Sequence, residues 1–471
     1  MKTFVSSVIL RFVFLAMFIA APLAAQSPNT ATLVVDVVDQ TGAVVPGAKV
    51  SLVNDATGAV RDALSASNGR VTMPALSLTG TYTVRVSKEG FGNEERKNIA
   101  LRSGETATLK FSLLVSGASE VTVFGTTEGV RADPQIGRRI ESKQIDETPI
   151  LGRKLSTLPL LNSAFRQGKG TGDLFVNQTY FVTGAGSRRT TTFTLDGAND
   201  DEAWGRQTMI ATIPLGAVQE VTLLSNAFSS EYGWTAGPAL NIVTKSGTNA
   251  LHGEMIYMNR LGRMQAKRFS TDGFCAPSAP ACDPATKPIA ITAISPVDIP
   301  DALNQYSGSI GGPIVKDKTF FFLTADYTRQ DRTAFLSKSL PSFVLPADGN
   351  LEYTGHYRQS LFNGRLDHQL TSGQTVMLRV NSDRFYDDNP QDAVGGTNAP
   401  SVARKYSRAS TTAQLNHTAV IEDDLLNEAR FTYLNGDPVT KWEAKTLSTA
   451  YTRTGSVPFT IGQSRLSDLF G

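Results

Sequence analysis

Residues 214–253 read PLGAVQEVTLLSNAFSSEYGWTAGPALNIVTKSGTNALHG. Two β-type runs, Val218–Leu224 and Leu240–Lys245, flank a segment broken by Gly233, Gly237 and Pro238. Ser246-Gly247-Thr248-Asn249 then makes a tight polar turn, because Gly accepts positive φ and Asn and Ser bond their own backbone. The rhythm of the chain changes at this turn. Before it, β-type runs are short and punctuated by Gly; after it, they are long, alternating and separated by unequal gaps. The turn is therefore expected to be the seam between a small α+β domain, residues 117–248, and an antiparallel β-barrel, residues 249–471, that encloses it.

Downstream of the seam, strands are predicted at 251–260, 304–311, 318–330, 353–368, 375–386, 406–420 and 426–435. Several alternate with period two. Phe321, Leu323, Ala325 and Tyr327 oppose Thr324, Asp326 and Thr328. Val376, Leu378 and Val380 oppose Arg379, Asn381 and Asp383, and Ala429, Phe431 and Tyr433 oppose Glu428, Arg430 and Thr432. An apolar, aromatic face suits lipid and a polar face suits a lumen. The gaps alternate as well. Those at 312–317, 369–374 and 421–425 are short, whereas 261–303, 331–352 and 387–405 are long. Short turns at one end and long loops at the other are the pattern of an outer-membrane barrel; a large soluble β-protein has no reason to sort its loops this way.

Upstream, Lys2 and Arg11 precede the apolar run Phe12–Ala20, and small residues reach Ala25. This is the layout of a secretory signal peptide, residues 1–25, cut at Ala25–Gln26. The run is shorter than the ~20 residues of a spanning helix. Residues 26–116 read as a β-sandwich of about seven short strands. Leu33–Val38, the Pro46-Gly47 turn, the Asn54–Gly58 turn, the alternating Thr81–Val86 and the closing Thr106–Leu114 are its marks, with Asn68-Gly69 as a hairpin signal. Within 117–248, Gly137–Ile145 and Lys154–Leu161 read as short helices or irregular segments, Ala164–Asn177 as a loop, and Thr179–Gly184 and Thr190–Leu195 as strands. Leu195-Asp-Gly197 ends a strand in a tight turn.

Composition narrows the function classes. A net charge of +2 gives no electrostatic case for nucleic acid. The four histidines, His252, His356, His368 and His417, form no metal-ligand spacing, and each reads as a lumen or loop residue. No nucleophile elbow or phosphate loop is present, so the chain is expected not to be an enzyme and to need no cofactor. Cys275 and Cys282 lie close together in an exported chain and are a disulfide candidate; free thiols and a metal are the alternatives. Glu120-Val121-Thr122-Val123 is a short β-prone patch in a linker, either an ordinary strand or a segment able to add to a partner's sheet edge.

Residues 42–54, the Asn68-Gly69 turn, residues 80–91 and the final alternating strand of the sandwich resemble the carboxypeptidase regulatory-like, transthyretin-type domain. QIDETPILGRKLSTLPLL (144–161), TFTLDGAND (192–200), the stretch 214–253 and QYSGSIGGPIVKDKTFFFLTADY (305–327) resemble TonB-dependent outer-membrane receptors, nearest to the Oar-like group. The resemblance implies a plug inside a barrel, active uptake of a small or oligomeric ligand, and a periplasmic N-terminal domain. Its implied partners are outer-membrane lipid and a TonB-type energy-coupling protein that pairs with an extended box, here Glu120, Val121, Thr122 and Val123. Candidate ligand contacts at the plug apex are Phe165, Arg166, Trp204 and Arg206, with a structural role equally open for Trp204. The segment SNAFSSEYGWTAGPA departs from the siderophore branch, and the plug ending of the glycan-uptake branch is missing. Residues 249–471 hold seven or eight strands, too few to surround such a plug. A chain truncated within a barrel of about 22 strands is therefore expected. A surface adhesion or structural β-protein without transport is the competing function.

Overall fold

The computed structural model describes residues 29–115, 121–124, 136–148, 150, 153–167, 181–183, 191–201, 209–226, 237–264, 268–269, 296–297, 301–336, 343, 351–389, 394–421, 425–442, 449–451 and 459–461. The expected signal peptide, Glu120, Trp204, Arg206, Cys275 and Cys282 lie outside them.

Seven strands build the N-terminal sandwich. They are β1 (Ala31–Asp39), β2 (Lys49–Asn54), β3 (Val60–Leu64), β4 (Arg70–Leu76), β5 (Tyr82–Ser87), β6 (Glu94–Ile99) and β7 (Thr106–Leu113). The small sheet runs β4-β1-β7. The larger runs β3-β2-β5-β6 and ends on β8 (Val121–Phe124). Period-two alternation decides which side chains turn inward: Leu33, Val35 and Val37 of β1 face Val50, Val84 and Val86 across one core. Each such buried side chain contributes about 1.5–3 kcal/mol. Gly47 and Gly58 take φ of +64 and +72 at the expected turns, and the Asn54 carboxamide oxygen accepts from the Ala56 and Thr57 amides at 3.0 Å each. Asn68-Gly69 is not a hairpin, however. Gly69 has φ +72, but β3 pairs with β2 and β4 with β1, so the turn carries the chain from one sheet to the other.

The central domain has a five-stranded sheet in the order β13-β12-β15-β14-β9. Its strands are β9 (Ile136–Glu141), β12 (Thr192–Leu195), β13 (Ala198–Asn199), β14 (Val218–Asn226) and β15 (Ala239–Thr244). A separate ribbon pairs β10 (Phe165–Gln167) with β11 (Phe181–Thr183). Gly137–Ile145 is neither helix nor coil throughout: it is mostly β9, followed by the short helix α1 (Ser142–Glu147). Leu155–Leu161 is a 3-10 segment. Every residue of β15 is buried, since it lies mid-sheet and is covered on both faces.

The third unit is a seven-stranded antiparallel sheet, the wall. Its strands are β16 (His252–Leu261), β19 (Ala302–Val315), β20 (Thr319–Phe335), β21 (Glu352–Thr371), β22 (Gln374–Asp387), β23 (Arg404–Ile421) and β24 (Leu425–Trp442), each paired with the next. The two-residue strands β17 (Arg268–Phe269) and β18 (Pro296–Val297) pair within the first long connection, and β25 (Thr449–Tyr451) pairs with β26 (Phe459–Ile461) after the wall. All seven predicted strands are present, and all but β16 are longer than expected. The faces divide as alternation requires. Leu323, Tyr327, Leu378, Val380, Phe431 and Tyr433 are exposed, whereas Phe320, Phe322, Thr324, Asp326 and Thr328 are buried. On the outer face Tyr257, Tyr306 and Tyr327 stand side by side on three strands, with ring centroids 5.0 and 6.5 Å apart. Such a row suits the aromatic girdle of a lipid-facing barrel surface.

The seam lies where the sequence places it, at the short-turn end of the wall. The Asn249 carboxamide donates to Asp317 in the β19–β20 turn at 2.6 Å and accepts from the Asp317 amide at 2.8 Å. The Asn249 amide donates to Ala56 O of the sandwich at 2.8 Å. Gly247 is pressed against the wall: a Cβ there would come within 2.3 Å of Phe321 O and 2.8 Å of Gly312 O. Three units thus meet at one segment, which is extended rather than the expected tight turn, since Gly247 does not take positive φ. The sandwich and central domain also share Arg139 of β9, which faces Glu105 at 3.5 Å and Glu220 at 3.6 Å. Burial holds Glu220 above the ordinary carboxylate range.

Candidate functional site

The residues that tie the central domain to the wall start from TFTLDGAND. Thr194 pairs with Asn199 and Leu195 with Ala198, leaving a two-residue loop. Both loop residues have positive φ, Asp196 at 47° and Gly197 at 73°, as a type I′ turn demands. The turn projects the Asp196 carboxylate back over β15, where it accepts from the Thr244 amide at 2.9 Å and the Thr244 hydroxyl at 2.8 Å.

The other side of Asp196 meets the wall. Arg379 of β22 forms an ion pair with it at 2.9 Å, and both side chains are 3% exposed. Arg365 of β21 stands 3.6 Å away, held by Asp367 at 2.8 Å, and donates to Thr244 O at 2.8 Å. Gln414 of β23 donates to Asp196 O at 2.9 Å. One turn is therefore gripped by three adjacent strands.

A second anchor lies along the same strands. Asp383 of β22 is fully buried and pairs with Arg408 of β23 at 2.8 Å. It also accepts from Gln359 of β21 at 2.9 Å and from the Thr212 amide of the central domain at 3.2 Å. Arg408 donates to Met209 O at 3.3 Å. The inner face, expected to be wet, is buried at Arg379, Asn381 and Asp383, and the central domain meets it at Arg379 and Asp383.

Asp200 sits between the anchors, 3% exposed. It accepts from the Ala211 amide at 3.4 Å. Burial, offset in part by Arg379, pushes its carboxyl up to about 8. A polar interface of this kind differs from an apolar core. Removing one partner of a buried ion pair is costly, yet each group regains water once the surfaces separate, so the contact can hold firmly and still be broken as a unit.

The expected contact residues separate. Phe165 is 5% exposed and packs in the core of the central domain, so it is not placed to meet a ligand. Arg166 is exposed on β10. Val121, Thr122 and Val123 fall in β8. The four histidines lie on wall strands, and among the described residues no group of three or more His, Cys, Asp or Glu is placed to hold a metal. The sequence reading missed Asp196, Arg365 and Arg408. Its only signals were the Asp-Gly turn and charge on the inner face.

Comparison with known proteins matches residues 32–114 to the carboxypeptidase regulatory-like domain and residues 243–352 to an outer membrane beta barrel domain. The TonB-dependent transporter Oar of Myxococcus xanthus is 26% identical over 287 residues, 58% of this chain and 24% of that protein. The chain thus spans about a quarter of the length of this curated relative. Among solved structures, the outer membrane transporter YddB of Escherichia coli aligns with TM-score 0.48 and 12% identity over 69% of this chain and 43% of that one. The alcaligin outer membrane receptor FauA of Bordetella pertussis aligns with TM-score 0.43 and 14% identity over 71% of this chain and 46% of that one. These relatives are transporters and receptors rather than enzymes. A wall with a lipid-type outer face and its barrel-domain match define an outer-membrane β-barrel protein. By its domain matches and its Oar relative, the chain is similar to TonB-dependent outer-membrane receptors.

Proposed function

We propose that this chain acts in energy-coupled uptake of an unidentified ligand across the outer membrane, without chemistry on the ligand. The observation that carries the reading is the pair of buried polar anchors, at Asp196 and Asp383, between central domain and wall. They suit a plug that stays seated at rest and leaves its place under force. The division into a sandwich at 26–116, a plug at 117–248 and a wall at 249–471 is supported by their separate sheets, apart from β8 (Val121–Phe124), which joins the sandwich sheet. The sandwich is assigned to the periplasm because it contacts the short-turn end of the wall. Glu120–Val123 is the coupling box for a TonB-type protein, and Arg166, Trp204 and Arg206 remain candidate ligand contacts at the plug apex. A Cys275–Cys282 disulfide would staple the first long loop.

The test is capture of the full chain, in outer-membrane vesicles, by the periplasmic domain of the TonB-type protein of the same cell. Capture is expected for the unaltered chain and lost on deletion of residues 120–123. Equal capture of both would place the box elsewhere. Capture of neither would favour an adhesive or structural role.

A further inference from the structure

The larger sandwich sheet ends on a strand that does not belong to the sandwich's own sequence. β8 lies parallel to β6 in the register Glu94↔Val121, Glu95↔Thr122, Arg96↔Val123 and Lys97↔Phe124. The path to it is short. Val115, just after β7, bridges Phe91, and the Gly92 amide donates to Leu114 O at 2.7 Å. The chain then returns beside β6 within the next few residues. Without β8, β6 would be the open edge of its sheet, with one row of amides and carbonyls unpaired. This is β-augmentation performed in cis.

We propose that the regulatory-like sandwich holds the coupling segment at rest, with β6 as the docking edge and Val121–Phe124 as its occupant. The inference rests on the reading of this segment as the coupling box. Backbone groups of Val121–Phe124 bonded to β6 are not available to a partner strand on that side, so the energy-coupling protein must displace β6 to take the segment on its inner edge. Physical magnitudes allow this exchange. A short tether gives β6 an effective concentration on the order of mM. Four parallel residues are a weak pairing on their own. The hold is thus strong enough to keep the segment off a dilute partner and weak enough to yield. It gives the sandwich a function: coupling waits until something loosens β8.

The test locks the strand. In the full chain with Cys275→Ser and Cys282→Ser, Glu95→Cys and Thr122→Cys place thiols on directly paired residues, within reach of a disulfide. Glu95→Cys with Phe124→Cys is the offset control. Efficient oxidative cross-linking of the first pair and not the second is expected. The oxidised protein should bind the periplasmic domain of the TonB-type protein at least ten-fold more weakly, and dithiothreitol should restore binding, so the reduced protein serves as its own folding control. Equal cross-linking of both pairs would overturn the proposal. So would a locked protein that binds as tightly as the reduced one, which would mean that the partner adds to the outer edge of β8. Deletion of residues 121–124 separates the underlying reading: if binding survives it, the segment is not the coupling box, whatever the cross-linking yield.

Discussion

Asp196, in a turn of the central domain proposed as the plug, and Arg379, on wall strand β22, form an ion pair of 2.9 Å, each 3% exposed. The pair joins two units that share no continuous strand, and it is dry. In such a place the attraction roughly offsets desolvation, so its effect is less net stability than a penalty for wrong seating.

Asp200 should make seating sensitive to pH. Its carboxyl is pushed up to about 8 in the folded protein, above its ordinary value of 3.8. The folded state therefore holds a proton that the unseated state releases. Its contribution is present in acid and falls as pH rises from about 4 through about 8. Hydrogen exchange at residues 209–213, followed across pH 5 to 9, should show opening that grows easier toward alkaline pH. Asp200→Asn should flatten the profile, and an unchanged slope would show that another group titrates.

Gly247→Val should damage the seam. The added carbons have nowhere to go between Phe321 O and Gly312 O, and overpacking of this kind costs about 1–3 kcal/mol. A lower folded fraction after insertion into outer-membrane vesicles is expected, while the exposed neighbour change Ala250→Ser should behave as the parent.

Tyr306→Ala should weaken the wall at its outer face. Tyr306 touches both Tyr257 and Tyr327, and aromatic pairs contribute about 0.5–1.5 kcal/mol beyond buried area. Urea unfolding in lipid should shift to lower concentration. If the shift occurs only in detergent, the tyrosine row is not at the membrane interface.

Phe165→Ala and Arg166→Ala should separate by role. The first empties a core position and should destabilise the plug by about 3–5 kcal/mol. The second alters an exposed side chain and should leave stability within about 0.5 kcal/mol. Both are read from thermal unfolding of the full chain.

The wall was legible because its strands are long and one-sided: a run such as Thr319–Phe335 repeats its alternation often enough to be unmistakable. The plug was less so. Its strands are short, and β15 is buried on both faces, which erases alternation. β9 went unseen because IGRRIE looks like a polar segment, and its Arg139 finds its partners in other elements, among them Glu105 of the sandwich and Glu220 of β14. The anchors were half visible. Arg379 and Asp383 were assigned to the inner face, but nothing local in sequence announces that Asp196 will meet one of them, since the two ends of the contact belong to different domains. The Asn68-Gly69 turn shows the opposite limit: local chemistry gave the turn and not the sheets it joins.

A double-mutant cycle on Asp196 and Arg379 tests most directly whether the plug is seated through this contact. Asp196→Ala, Arg379→Met and the pair would be compared in the full chain in lipid, reading the free energy of opening from hydrogen exchange at residues 192–199. A coupling of about 1.5 kcal/mol or more is expected for a desolvated charge pair, with the double variant opening less readily than Asp196→Ala alone. Additivity within about 0.5 kcal/mol would mean that the two residues do not hold the plug to the wall.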